Sequence, residues 1–291
     1  MTVLQAAITH GLWPLVVVAG VALIELGLRL GHDPAAVLFA VNVGTLGAVL
    51  VAEQLAPHRR EWSPLTDGQS VNDLGHGLLQ SQLGERIGGL VVLAVATTML
   101  TAPTPHSIWP VEWPMALQVL LGVVVADGLD YWKHRALHTV WGWRLHALHH
   151  GITRLHALRA ARSHFGEVAL RFLVVYAPLV AVGAPHAVLF WHAALIGTLG
   201  VIGHSNVRLR LPSPVHRLLM TPHVHRLHHS NEWTLADSNF ANILPLWDVL
   251  FGTFSHPDAH VLRGVGVIGD EMPASFVRQL VAPFARPADS H

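Results

Sequence analysis

The chain contains no cysteine, and that absence removes disulfides, thiolate zinc sites and cysteine-ligated iron–sulfur clusters together. Charge is scarce as well. Only 12% of the 291 residues are Asp, Glu, Lys or Arg, against about 25% in an ordinary globular chain. Lys plus Arg and Asp plus Glu stand at 18 each, so the net charge is zero and no nucleic-acid partner is expected. Also missing are the H-E-x-x-H signature of a helix-borne zinc hydrolase, any flavin, haem or iron–sulfur motif, and any low-complexity tract. The start lacks a basic segment and a clear cleavage site, so the first apolar run is expected to be a retained helix, not a signal peptide.

What is present is apolar. Hydrophobic residues make up 52% of the chain. Runs at residues 12–30, 35–56, 87–102 and 115–129 come close to the roughly 20 residues that cross a bilayer. A longer run, residues 168–202, is broken by Pro178 and by Gly183-Ala184-Pro185, and reads as a tight hairpin, spanning or re-entrant. The expected fold is all-α: a polytopic membrane bundle of about four spans plus that broken hairpin, capped by a histidine-rich helical region. A soluble bundle is the alternative. We read residues 1–291 as one integral membrane domain. Residues 1–129 hold the spans, 130–167 a first histidine block, 168–202 the hairpin, 203–254 a second block, and 255–291 a tail with a short amphipathic helix near 275–281.

Lys and Arg placement orients the bundle. Fourteen of the 18 lie at or after Lys133, and Arg59, Arg60 and Arg86 share the loop between the second and third runs. Both termini and the histidine blocks are therefore expected to face the cytoplasm, with the protein in the cell's inner membrane.

The histidines are grouped. His134 and His138 stand four apart, in line with Asp127 and Asp130 on one helical stripe. An ionisable stripe near a membrane is costly and should face a site. Asp130 is expected to serve that site by accepting from the second ring nitrogen of His134; Asp127 supports the same network or is a buried polar partner. His146, His149 and His150 form H-x-x-H-H, and His225, His228 and His229 repeat it. On a helix the middle residue of each triplet points about 60° from the first and about 100° from the third. One helix can then serve two metals, the outer pair one ion and the middle residue the other. Those eight ligands suit two ions, and His164 and His204 extend the candidate set to ten. His10, His32, His58, His76, His106, His186, His192, His256, His260 and His291 are expected to be ordinary surface or core residues, as are His156, His216 and His223.

All-imidazole ligation suits iron, zinc, copper or nickel and not magnesium or calcium. A haem would use one or two histidines and leave the rest unexplained. Two histidine-bound irons fit the ligand number best, with zinc able to take their place.

The motifs D-x-x-x-H-R-x-x-H at residues 130–138, the first H-x-x-H-H, H-S-N at 204–206 and T-P-x-x-H-R-x-H-H-S at 221–230 resemble the fatty acid hydroxylase/sterol desaturase superfamily. So do N-F-A-x-x-L-x-x-W-D-x-L-F-G-T at 239–253 and the entry segment at 53–62. The resemblance covers residues 53–254. Phe165 stands where the family places proline, Ala241 where glycine is common, and Gly151 where serine often follows the first triplet. The resemblance implies a membrane non-haem di-iron oxygenase that hydroxylates or desaturates a C–H bond of a lipid, such as a sterol or fatty acyl chain, using O2. It implies a separate electron donor of ferredoxin or cytochrome type, and Arg135, Arg144, Arg154, Arg159 and Arg162 are expected to be exposed for docking it, or else to be simple topology charge. Trp247, Phe251 and Phe254, with Trp233 and Phe240, are read as an interfacial lid or an aromatic belt at the headgroups. The rival reading, a histidine-rich metal carrier, would want ionisable residues within several spans, and Glu25 is the only carboxylate deep in an early one.

Overall fold

The computed structural model describes residues 1–101, 107–269 and 271–285; Ala102, His106 and His291, named above, lie outside them. Helix α1 (Val3–Arg29) starts at a reciprocal capping box between Thr2 and Gln5, which satisfies two otherwise orphaned donors. Gly31, at φ +78°, makes the tight turn into α2 (Pro34–Leu55), where Asp33 caps the first turn and Pro34 stands at the helix start. Helix α3 (Ser70–Leu79) runs through a π turn at Gln80–Gly84 into α4 (Glu85–Thr101). Then come α5 (Met115–Leu137), α6 (Val140–His150) and α7 (Phe165–Arg171). A second π turn at Phe172–Tyr176 leads into α8 (Ala177–Ala181), and α9 (His186–Gly203) follows. Short helices α10 (Val215–Leu218), α11 (Pro222–His228), α12 (Trp233–Ala236) and α13 (Leu246–Phe251) build the second histidine block, and α14 (Phe276–Ala285) closes the described chain. No strand occurs among the described residues, only isolated bridges such as Pro57 to Val207.

The architecture is the expected all-α bundle. Helices α1, α2, α5 and α9 are long and apolar enough to cross a membrane. Through Thr101, the run that begins at residue 87 lies in α4, which has 17 described residues and is the second part of a π-broken rod that starts with α3. The hairpin at 168–202 has unequal arms. Pro178, which lacks an N–H, sits in the first turn of α8, and the π turn before it interrupts the first arm. The second arm is α9, a full-length span.

Helix α9 packs against α1, α2 and α5, while α4 packs against α7 and α8. Small residues permit the close approaches. A Cβ on Gly122 would stand 1.9 Å from Val188, and one on Gly88 2.3 Å from Phe172. The start of α1 meets the end of α2 through Gln5 and the Leu55 carbonyl, 3.0 Å apart. His76 of α3 meets Gln279 of α14 at 3.0 Å. Trp109 and Val182 pair at 3.0 Å at the other end. Both described ends of the chain therefore lie on the face that carries the histidines.

Candidate metal centre

Nine of the ten candidate histidines converge. His134, His138, His146, His150 and His228 form one group, and His149, His204, His225 and His229 a second; within each, one ring nitrogen per residue lies within 4.8 Å of all the others. The helical angles explain the sorting. The outer pair of α6, His146 and His150, enters the first group and its middle residue, His149, the second. Helix α11 does the reverse: His228 enters the first group, His225 and His229 the second. The groups adjoin where His150 and His229 stack with centroids 4.5 Å apart. His138 and His204 are the C-terminal caps of α5 and α9, where the carbonyl ends of long helices favour a cation.

Backbone carbonyls set the rings. Nδ1 of His134 donates to Phe240 at 2.7 Å, that of His149 to Arg162 at 3.1 Å, that of His204 to Gly200 at 2.7 Å and that of His228 to Ser238 at 2.8 Å. A carbonyl only accepts, so these four rings carry their proton on Nδ1 and turn a lone pair on Nε2 inward. Glu167 accepts from Nδ1 of His146 at 3.0 Å. Burial alone would raise the Glu167 pKa, but His146 and Lys133 pull it down to about 2.

Burial, reinforced by the neighbouring rings, holds His149, His150, His225 and His229 well below the usual imidazole pKa, and takes His228 to about 3. Burial takes His204 to about 4. Neutral rings are the form that binds a metal. Nε2 of His134 and His146 lie 3.0 Å apart, as do Nε2 of His204 and His225. Nε2 of His150, Nε2 of His228 and Nδ1 of His229 are buried without a hydrogen-bond partner. Orphaned buried nitrogens are costly, and bound ions would satisfy them. The residues fit two imidazole-ligated metals.

Around this pocket, carboxylates clamp backbone. Asp127 accepts from the N–H groups of Asn242, Ile243 and Leu244 at 3.3, 2.9 and 2.8 Å. Asp248 accepts from those of Phe240 and Ala241 at 2.8 and 2.9 Å. Asn239, at φ +58°, takes the left-handed conformation that asparagine tolerates, and its side chain holds the loop to Ser255. The loop thus presents the Phe240 carbonyl to His134. In the entry segment, Glu53 accepts from Ala157 and Asn206, both at 2.8 Å, tying α2 to the stretches beside His149 and His204. Arg226 donates to the carbonyls of Ser205 and Val207.

Several expectations are corrected. Asp130 does not meet His134, whose second nitrogen goes to Phe240. Its carboxylate takes Lys133 Nζ at 2.7 Å, Arg171 Nε at 3.3 Å and Asn242 Nδ2 at 2.7 Å. His164 stands outside both groups; its Nδ1 caps α7 by accepting from Gly166 at 3.1 Å, and its Nε2 donates to Leu280 at 3.3 Å. Arg159 and Arg162 are buried and paired with Asp73, and Arg135, Arg144 and Arg154, expected to be exposed, are half-buried. The aromatic residues do not make one lid. Phe240 is buried against His138 with centroids 5.0 Å apart, Phe251 stacks on Tyr131 at 5.4 Å, and Trp233 meets Trp143 at 5.0 Å. Sequence reasoning missed Glu167; its signal is a carboxylate three residues after His164, on a helix that begins at Phe165.

A cavity of about 440 Å³ opens between α2, α7 and α9 and reaches both groups, touching His134 and His146 of the first and His149, His204 and His225 of the second. Its other walls include Leu38, Leu46 and Ile196, with Lys133 and Arg171 nearby.

The model of the family described as fatty acid hydroxylase matches residues 119–253, which include every residue of both groups. The chain is 35% identical over 289 residues to the ornithine lipid hydroxylase OlsE of Rhizobium tropici, covering 97% of this chain and 86% of that protein. It is 33% identical over 215 residues to the very-long-chain aldehyde decarbonylase GL1-2 of Oryza sativa subsp. indica, covering 69% of this chain and 32% of that one. It is 30% identical over 169 residues to the alkylglycerol monooxygenase of Homo sapiens, covering 54% of this chain and 34% of that one. The chain thus spans about a third of the length of these last two relatives. No solved structure matches. Motifs, helical bundle and a relative similar over nearly the whole length agree: the chain belongs to the fatty acid hydroxylase superfamily.

Proposed function

We propose that the protein is a membrane lipid oxygenase whose nine converging histidines hold two irons and which hydroxylates or desaturates a C–H bond. The observation that carries this reading is the pair of imidazole groups on one wall of a cavity between α2, α7 and α9. Relatives named as a lipid hydroxylase and an alkylglycerol monooxygenase support oxidation of a lipid.

When bound and reduced, the iron pair supplies activation of O2. The chain's own residues do the rest. Phe240, Arg162, Gly200 and Ser238 keep the Nδ1 protons in place, and Glu167 holds that of His146, so each ring offers Nε2 to an ion. The apolar walls receive the lipid and exclude water. Hydroxylation consumes one O2, two electrons and two protons and yields an alcohol and water. With no electron-carrying cofactor motif in the chain, a separate ferredoxin or cytochrome-type donor brings the electrons. We place the histidine face and both termini in the cytoplasm and the bundle in the inner membrane, because Lys and Arg gather on that face. Reporter fusions active only in the cytoplasm, joined to the C-terminus, test that orientation.

The central test pairs metal analysis with product analysis. Protein purified from membranes should carry about two metals per chain, iron or the zinc that replaces it on overexpression. Lipids from cells with and without the gene should differ by one oxygen or two hydrogens. Trace metal in a fully folded protein overturns the reading.

A further inference from the structure

One corner of the cavity is built of charge rather than hydrocarbon. Lys133 and Arg171 both line it. Asp130, fully buried, is shared between them, at 2.7 Å from Lys133 Nζ and 3.3 Å from Arg171 Nε. The Arg171 side chain keeps 23% exposure, and its Nε is spent on Asp130. Among the described residues the forked Nη donors have no hydrogen-bond partner, and the residue lines the cavity. Desolvated cations inside a membrane bundle are costly and mark functional positions, and the guanidinium fork matches oxygen acceptors.

This corner lies beside the reactive wall. Lys133 precedes His134, and Arg171 is one helical turn from Glu167, the partner of His146. Side chains one turn apart sit about 5–6 Å from each other, and an extended chain advances roughly 1.2 Å per bond. A group held by Arg171 therefore stands a handful of bonds from the histidine pocket.

Building on the reading of this cavity as the lipid site, we propose that Arg171 anchors an oxygen acceptor of the substrate, a carboxylate or an amide or ester carbonyl, and thereby directs oxidation to a carbon near that polar group instead of the distal chain.

Decanoate and decanol, equal in length and differing in the acceptor, serve as paired probes for the iron-loaded full chain in detergent, with binding read by native mass spectrometry. The wild type should prefer decanoate. In Arg171→Met that preference should fall about 10- to 100-fold, the size of a lost charge-assisted hydrogen bond, with decanol unaffected, and Arg171→Lys should keep part of it. A second readout needs no variant: tandem mass spectrometry of lipids made by the wild type should find the new oxygen or double bond in the part of the chain next to the polar group. Equal binding of the two probes by the wild type, an unchanged preference in Arg171→Met, or oxidation in the distal half overturns the proposal. A metal-free protein whose decanoate preference still follows Arg171 would sink the oxygenase reading and leave the anchor standing.

Discussion

Two buried clusters of titratable side chains meet where His149 of one donates to the Arg162 carbonyl of the other, and both are compact enough to suggest a metal. Asp67, Asp73 and His156 bring their ligand atoms within the same 4.8 Å as the histidine groups do. There the likeness ends. Arg159 donates to both oxygens of Asp73 at 2.7 and 2.8 Å and to Asp67 at 2.6 Å, Arg162 adds a bond to Asp73 at 3.0 Å, and His156 meets Asp67 at 2.5 Å. Two cations balance two carboxylates, and the cluster leaves an ion no charge to neutralise. The histidine pocket has no such internal balance, and three of its buried nitrogens have no partner. Compactness alone is thus a poor mark of a metal site; whether the cluster already balances its own charge is a better one. The clusters are also joined, since the Arg162 carbonyl accepts from His149. The ion-pair network is the mount and the histidines are the instrument.

Substitution separates the two most sharply at the histidines. His149→Ala and His228→Ala should each abolish lipid oxidation and remove metal while membrane insertion continues, because each takes a ligand from a different group. Metal analysis and product analysis read the outcome; a variant that keeps both metals would dissolve the distinction. Asp73→Ala should do the opposite. Removing one partner from a buried ion pair costs about 3–5 kcal/mol, so thermal melting should fall steeply whether or not metal is loaded, yet chains that remain folded should keep their metal. Loss of metal without loss of stability would reverse the roles assigned to the clusters. Glu167→Gln should fall between. Outer partners of ligating histidines are worth about 10- to 100-fold in affinity or activity, and metal titration of the first group should weaken by that factor with little change in melting.

How much of this was legible in the chain follows from the range over which each signal acts. The split of H-x-x-H-H between two histidine groups is a matter of 100° per residue, so α6 and α11 could be read in advance, and His204 was marked by the H-S-N that Glu53 holds. The stripe of Asp127, Asp130, His134 and His138 was readable as a stripe, but what each member touches was not. Asp127 turned to a backbone loop 115 or more residues away, and Asp130 to Lys133 and Arg171, because those partners exist only after α5, α7 and that loop pack. The carbonyls that fix the ring tautomers carry no side-chain signature at all. The π turn is hidden for a related reason. Hydropathy shows the apolar run that begins at residue 87 but not the π turn that joins it to α3 as part of a longer rod.

The smallest expected effect bears on the one candidate that the fold sets aside. His164 sits one residue before α7 and spends both ring nitrogens on protein, one on Gly166 and one on Leu280. His164→Ala should cost the cap, about 1 kcal/mol, and leave both metals bound, in contrast to His149 and His228. A melting shift of a few degrees with unchanged metal content supports the nine-histidine pocket. Should metal fall by one ion per chain instead, α7 would have to rotate in the loaded protein and release that ring from Gly166. The boundary between mount and instrument would then run through α7.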